Sequence, residues 1–381
     1  MNSPTRVLHV VAAMNRSGEA KFLMNLYRAM NRAEIQFDFL TAFPGDYDDE
    51  IRNTGGKVYE IPFLTKSGRL RNEKLLASFL AANTYQIVHV HTGYSAGSIL
   101  AQAKENGVPV RIAHSHLSEG REDFLEKTIN IFAAKRIRLS ATHRFACSLE
   151  AGKRLFGKNT FFIQVNYAVD PERFRFRTVS RKAARLAWGW REEHFVIGYI
   201  GGMSQADHLF WLLARFEQLV SAMPKARLVM IGEGPMKSRL KEEAEKKGLE
   251  NYVHFDAQTD ECSAVLNGMD VLTRPGSSRM FPGVLIEAQS SGLPCLVADD
   301  VSRETDMESG LMQFLPLKRP QKWEEELVRL SRLKMQRRSE TRSVKQKGYD
   351  MNSTAREMES FYRSRTRETV YEEEKHGPTH A

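Results

Sequence analysis

Residues 195–234 read FVIGYIGGMSQADHLFWLLARFEQLVSAMPKARLVMIGEG. The apolar run FVIGYI ends at the pair Gly201–Gly202, a segment of helical period follows from His208 to Met223, and a second apolar run, ARLVMI, ends at Gly232 and Gly234. Two such runs joined by a helix make a βαβ unit, and a βαβ unit makes its strands parallel.

The same alternation extends in both directions. Downstream come the helix PMKSRLKEEAEKKG, then YVHFDA, MDVLTRPG, the helix VLIEAQSSG and PCLVADD; upstream come RVLHVV, a helix through FLMNLYRAM, IQFDFL, QIVHVH, the helix SAGSILAQAKENG and VPVRIAH. The chain therefore reads as α/β, with two Rossmann-like doubly wound domains. The irregular, proline-bearing VNYAVDPERFRF (165–176) separates them, with the boundary near residue 175. Two open sheets of this kind are expected to face across a cleft at the C-terminal ends of their strands. Glycine-rich turns follow the strands at equivalent places: MNRSGEAK, HTGYSAG and HSHLSEG in the first half, GGMSQADH, GEGP and RPGSSRMFPG in the second.

Length and composition agree. A chain of 381 residues, 41% hydrophobic, is long enough and apolar enough for two cores. No run approaches the roughly 18 apolar residues that span a bilayer, and the N-terminus lacks a signal-peptide pattern, so a cytoplasmic protein is expected. Cys147, Cys262 and Cys295 are widely spaced and suggest neither a disulfide framework nor a zinc site. The net charge of +9 fits anionic partners. No nucleic-acid recognition motif is present, so nucleic acid is not among them. The basic run at 318–347 reads as a solvated surface, with an anionic membrane as the other partner such charge would suit.

The segments VLHVVAAMNRSGEAKFLMNLYRAMNRAEIQFDFLT, VPVRIAHSH, NYAVDPERFRF and PGVLIEAQSSGLPCLV, in that order and spacing, resemble the retaining glycosyltransferases of family 4, in particular the EpsF-like enzymes of exopolysaccharide synthesis. The resemblance runs from about residue 6 to residue 362. It implies a GT-B fold: an acceptor domain over 1–175, a nucleotide-sugar donor domain over 176–347, a helix over 348–367 returning to the first domain, and a tail over 368–381. The reaction it implies moves a sugar, with retention, from a nucleotide sugar, usually a UDP-sugar, to a glycan or lipid-linked acceptor. It implies no cofactor, and no metal chelating the diphosphate. The phosphates must then be held by cations and a helix N-terminus.

The resemblance also assigns residues. Glu287 matches the second acid of an E-x7-E motif, which accepts hydrogen bonds from the ribose, and Pro282, Gly283 and Val284 lead into it. His114 matches a histidine near the anomeric centre and is the catalytic candidate, with His116 its neighbour. Gly18 matches one glycine of a donor loop whose other glycine is Ser17 here, and Gly201 and Gly202 form the turn under the diphosphate.

Three positions depart from the pattern. The first acid of the motif is Arg279, followed by Met280 and Phe281, so the charge there has changed sign. The arginine and lysine that grip the diphosphate in the family correspond to Gly202 and Ala206. Arg274, Arg279 or the glycine-rich backbone must replace those cations in a working enzyme. The alternative is a degenerate homologue that serves as a non-catalytic partner in polysaccharide assembly.

Overall fold

A computed structural model describes residues 3–63, 69–116, 124–204, 206–257, 262–276, 281–333 and 337–375. The chain forms two compact units, one made of residues 1–168, 279–281 and 351–381, the other of 169–278 and 282–350. Arg279 and Met280 lie outside the described residues.

Among the described residues, the first unit holds the strands β1 (Thr5–Val11), β2 (Ile35–Thr41), β3 (Val58–Glu60), β4 (Ile87–Val90), β5 (Val110–Ser115), β6 (His143–Ala146) and β7 (Ile163–Gln164), in the order β3-β2-β1-β4-β5-β6-β7. The second holds β8 (Phe195–Ile200), β9 (Ala226–Ile231), β10 (Val253–Asp256), β11 (Val271–Arg274), β12 (Cys295–Ala298) and β13 (Met312–Leu315), in the order β10-β9-β8-β11-β12-β13. Neighbouring strands pair parallel throughout, from β1 with β2 to β12 with β13. In each sheet the winding reverses once, between β1 and β4 and between β8 and β11. Such a reversal opens a crevice at the C-terminal strand ends.

Both faces of these sheets are covered, so the strands are apolar almost continuously. β2 is buried from end to end although Asp38 sits in its middle. That carboxylate is fully paired: it accepts from Arg6 Nε at 2.7 Å, from the Lys57 backbone N–H at 2.7 Å and from the Tyr85 hydroxyl at 2.8 Å. The C-terminal helix, Met351–Lys375, packs on β1, β2 and the helix Gly18–Ala29, and buries Tyr362 completely. No described helix is long and apolar enough to cross a membrane. Cys147, Cys262 and Cys295 are buried.

In the second unit ion pairs from Arg181 and Arg185 to Asp270, at 2.8 and 2.6 Å, tie the helix Thr178–Ala187 to the sheet. Arg185 is 1% exposed and donates to the carbonyls of Gly268 and Arg191, each at 3.0 Å, and to Asp270 Oδ2 at 2.6 Å. The same carboxylate oxygen accepts from the Val196 N–H at 2.7 Å, which fixes the start of β8 beside β11. Removing the acid leaves a buried guanidinium with only the more distant Glu192, at 3.8 Å, as counter-charge. Asp270→Ala is expected to cost about 3–5 kcal/mol of unfolding free energy in urea titrations. A loss below about 1 kcal/mol would show that these pairs are not what anchors this helix.

Candidate functional site

Of the predicted donor residues, Gly201 and Gly202 lie at the C-terminal end of β8, where Arg274 at the end of β11 reaches Gly201. β8 runs into Gly201–Gly202, and this turn stays paired with the chain beyond β9: Gly201 N–H donates to the Ile231 carbonyl at 3.0 Å and Met203 N–H to the Glu233 carbonyl at 2.8 Å. The turn after β9 presses against it, so that a Cβ on Gly232 would lie 1.9 Å from the Gly201 carbonyl oxygen. That approach explains why both strands end in glycine. Gly202 differs, because a Cβ there would meet nothing within 4 Å. The missing arginine at this position is therefore not a matter of crowding. Ala206, where the lysine is missing, opens the helix Ala206–Ala222.

A cation stands where β8 and β11 end. Arg274 closes β11 and reaches across to β8, its Nη1 lying 3.5 Å from the Ile200 carbonyl oxygen and 3.1 Å from where a Gly201 Cβ would be. Its Nε is buried and makes no hydrogen bond, and among the described residues no carboxylate pairs with it. Leaving such a donor unmet costs about 1–3 kcal/mol. Beside it the Tyr199 hydroxyl donates to the Gly202 carbonyl at 3.1 Å. Burial raises the Tyr199 phenol above its ordinary pKa, and the Arg274 charge opposes that rise. The His208 ring lies against the loop after β11, 2.5 Å from where a Gly276 Cβ would be.

Glu287 sits in the first turn of the helix Val284–Ser290 and is 4% exposed. Pro282 and Gly283 close that turn: their carbonyls accept from Leu285 N–H at 3.0 Å and from Glu287 N–H at 3.2 Å. Phe281, just before them, is 3% exposed.

In the first unit, Ser17 caps the helix Gly18–Ala29 by accepting from the Ala20 N–H at 3.3 Å. The serine in place of a glycine thus supplies the N-terminal hydrogen bond a helix needs. Gly18 is the first helical residue, and the Tyr167 hydroxyl stands 3.2 Å from where its Cβ would be.

His114 lies inside the first unit. It is 2% exposed, beneath Phe22 of that helix, and belongs to a layer of imidazoles made with His9, His89, His91 and His116, all at most 2% exposed. His89 Nε2 lies 3.1 Å from His114 Nδ1, and His89 Nδ1 lies 2.8 Å from the Tyr362 hydroxyl. A second chain runs from His9 Nδ1 to His91 Nε2 at 3.0 Å and from His91 Nδ1 to His116 Nε2 at 2.9 Å. Burial lowers all five pKa values, those of His9 and His116 to about 3, so the rings are neutral. The sequence carried the signal in HVH at 89–91 and HSH at 114–116, since alternate residues of a strand share a face.

Two doubly wound α/β units, with a glycine turn and a cation at the switch point of the second, define the class of nucleotide-binding α/β proteins. The model for "Glycosyl transferase 4-like domain" matches residues 17–155 and that for "Glycosyl transferases group 1" matches residues 194–332. The chain is 31% identical over 360 residues to the Bacillus subtilis glycosyltransferase EpsF, covering 92% of this chain and 94% of that one. It is 22% identical over 320 residues to an Escherichia coli UDP-Gal:alpha-D-GlcNAc-diphosphoundecaprenol alpha-1,3-galactosyltransferase, covering 78% and 80%. Among solved structures, Anabaena HepE in complex with UDP and glucose shares the fold at a TM-score of 0.69 and 14% identity, over 96% of this chain and 98% of that one. The chain belongs to the family 4 glycosyltransferases, with EpsF among its relatives.

The imidazole layer sets a dependence on pH. Each histidine takes up its proton near pH 6.5 in the unfolded chain and only far lower in the folded one. Below pH 6.5 the unfolded state therefore binds more protons, and stability falls as pH drops from about 6.5 towards 3, by up to ~1.4 kcal/mol per pH unit for each ring. Glu19, whose carboxyl burial raises to about 8, acts in the opposite direction and offsets one ring. With five rings against one acid, urea midpoints should still fall between pH 7 and pH 5, and His116→Asn should make the fall shallower. A flat profile over that range would contradict neutral burial.

Proposed function

We propose that the second unit binds the diphosphate of a UDP-sugar against Arg274 and the Gly201–Gly202 turn, with Glu287 accepting from the ribose hydroxyls. The observation that carries this reading is the buried, unmet Nε of Arg274 beside that turn. A guanidinium there supplies the charge that Gly202 and Ala206 lack, and the start of the helix Ala206–Ala222 adds the positive end of its dipole. The relatives fit: the E. coli enzyme is named for UDP-Gal, and HepE was crystallised with UDP and glucose. In the reaction, the bond from the anomeric carbon to the diphosphate oxygen breaks as an acceptor hydroxyl oxygen bonds that carbon with retention, and the hydroxyl proton leaves with the diphosphate. Charge growing on the leaving group is what Arg274 stabilises. This scheme gives His114 no direct contact with the sugar, since its ring is enclosed. As the family resemblance implies, the transfer serves exopolysaccharide synthesis.

A second surface favours a lipid-linked acceptor at the inner face of the membrane. The helix Phe124–Ser140 exposes Ile129, Ile131, Phe132 and Leu139 at 58–69%, with Lys135 on the same face and Arg138 beside it. Apolar side chains interleaved with cations suit an anionic bilayer interface. The basic run at 318–347 is a poorer candidate, because Arg337 donates to the Leu266, Met269 and Ser291 carbonyls and Lys345 pairs with Glu172 at 2.7 Å.

Calorimetry separates the donor roles. Arg274→Met is expected to weaken UDP by about 1.5–3 kcal/mol, some tenfold to a hundredfold, and to leave uridine unchanged, whereas Glu287→Gln weakens both ligands. Equal UDP affinity in a folded Arg274→Met protein would sink the diphosphate assignment. Turnover tests the degenerate alternative: wild type idle on a broad panel of UDP-sugars, beside an active Arg279→Glu/Gly202→Arg/Ala206→Lys variant, would establish decay. For the membrane surface, Phe132→Glu is expected to lower co-sedimentation with anionic vesicles more than tenfold, given the ~1.5–3 kcal/mol of burying a phenylalanine. Unaltered sedimentation would move the contact elsewhere.

A further inference from the structure

The imidazole layer has a capacity that sugar transfer does not use. We infer that His9, His89 and His91 form a site for one transition-metal ion of the kind imidazole favours, zinc first among them. One ring nitrogen from each lies within 4.8 Å of the other two, and all three residues are buried. His9 Nδ1 and His91 Nε2 stand 3.0 Å apart. Two nitrogens on a tetrahedral zinc with bonds of ~2.0–2.1 Å are about 3.3 Å apart, so a slight parting of the rings admits the ion.

Hydrogen bonding within the layer is incomplete. A neutral imidazole has one N–H and one lone pair, so each chain of rings leaves an unmatched nitrogen whichever tautomers it takes. His9 Nε2, His114 Nε2 and His116 Nδ1 are buried with no partner. Apolar side chains would fill the layer without that cost. Ligation also finds its outer partners in place. With His91 Nε2 on the ion, Nδ1 still meets His116 Nε2 at 2.9 Å. Whichever nitrogen of His89 is used, the other keeps Tyr362 or His114. Such outer contacts orient ligating histidines and are worth about 10–100-fold in affinity. The ion would join β1 to β4 and, through Tyr362, steady the C-terminal helix.

The test uses the full chain stripped with a chelator and titrated with Zn²⁺ alone. One ion per chain is expected, with a higher melting temperature in its presence, independent of any activity. His9→Asn and His91→Asn should abolish uptake, and His116→Asn should weaken it by about 10–100-fold. Folding of each variant is checked by circular dichroism. Should an Asn variant unfold, the visible spectrum of Co²⁺ on the wild type decides, a nitrogen-ligated spectrum supporting the site and that of the hydrated ion overturning it. No zinc taken up by folded wild type, or the same uptake in folded His91→Asn, overturns the proposal. Uptake that survives His9→Asn but vanishes in His116→Asn overturns this triad in favour of His91, His114 and His116.

Discussion

Parallel pairing governs everything else in this protein. Strands that all run the same way need a crossover between each pair, and the crossover helices cover both faces of the sheet, so every β-to-α turn falls at one edge of its unit. Chemistry collects on that edge because it is where backbone groups are free of the sheet. In the second unit the reversal of winding between β8 and β11 sets Gly201–Gly202 beside Arg274, residues more than seventy positions apart in the chain. Neither would mean much alone. A glycine turn without a cation is a weak phosphate site, and an arginine ending a strand without that turn is only a buried charge.

The same rule lets the departures from the family pattern be judged physically. Gly202 has open space around it, so a side chain was sterically allowed there and is simply not used. Gly232 has no such freedom, because its neighbour's carbonyl occupies the place of a Cβ. Ser17 likewise replaces a glycine at no structural loss, since it caps the helix that begins beside it. Charge has been lost at the turn while a guanidinium stands at the neighbouring strand end.

The periodicities made the fold legible, because alternating strand and helix patterns with glycine at strand ends have few other solutions. The residues of the second unit's switch point were legible too, from Gly201 to Glu287, through the turns that follow each strand. The state of Arg274 was not, since a sequence shows a basic residue ending LTR without showing whether an acid meets it. His114 was found for one reason and placed by another. The resemblance pointed to substrate, whereas the period of the strands puts it on the same face as the four other imidazoles under a helix. Pairs spaced by two in neighbouring strands reveal such a layer only when the register of β1, β4 and β5 is known. Arg337 likewise looked like solvated charge within a basic run, until the carbonyls it binds were brought to it by folding.

The central claim is that a nucleoside diphosphate settles at the C-terminal ends of β8 and β11. A crystal structure of the protein with UDP tests it most directly. The expected complex has the β-phosphate against the Arg274 guanidinium and the Gly201–Gly202 backbone, with the ribose hydroxyls on Glu287. UDP bound with its phosphates away from Arg274, or with its ribose away from Glu287, would contradict it.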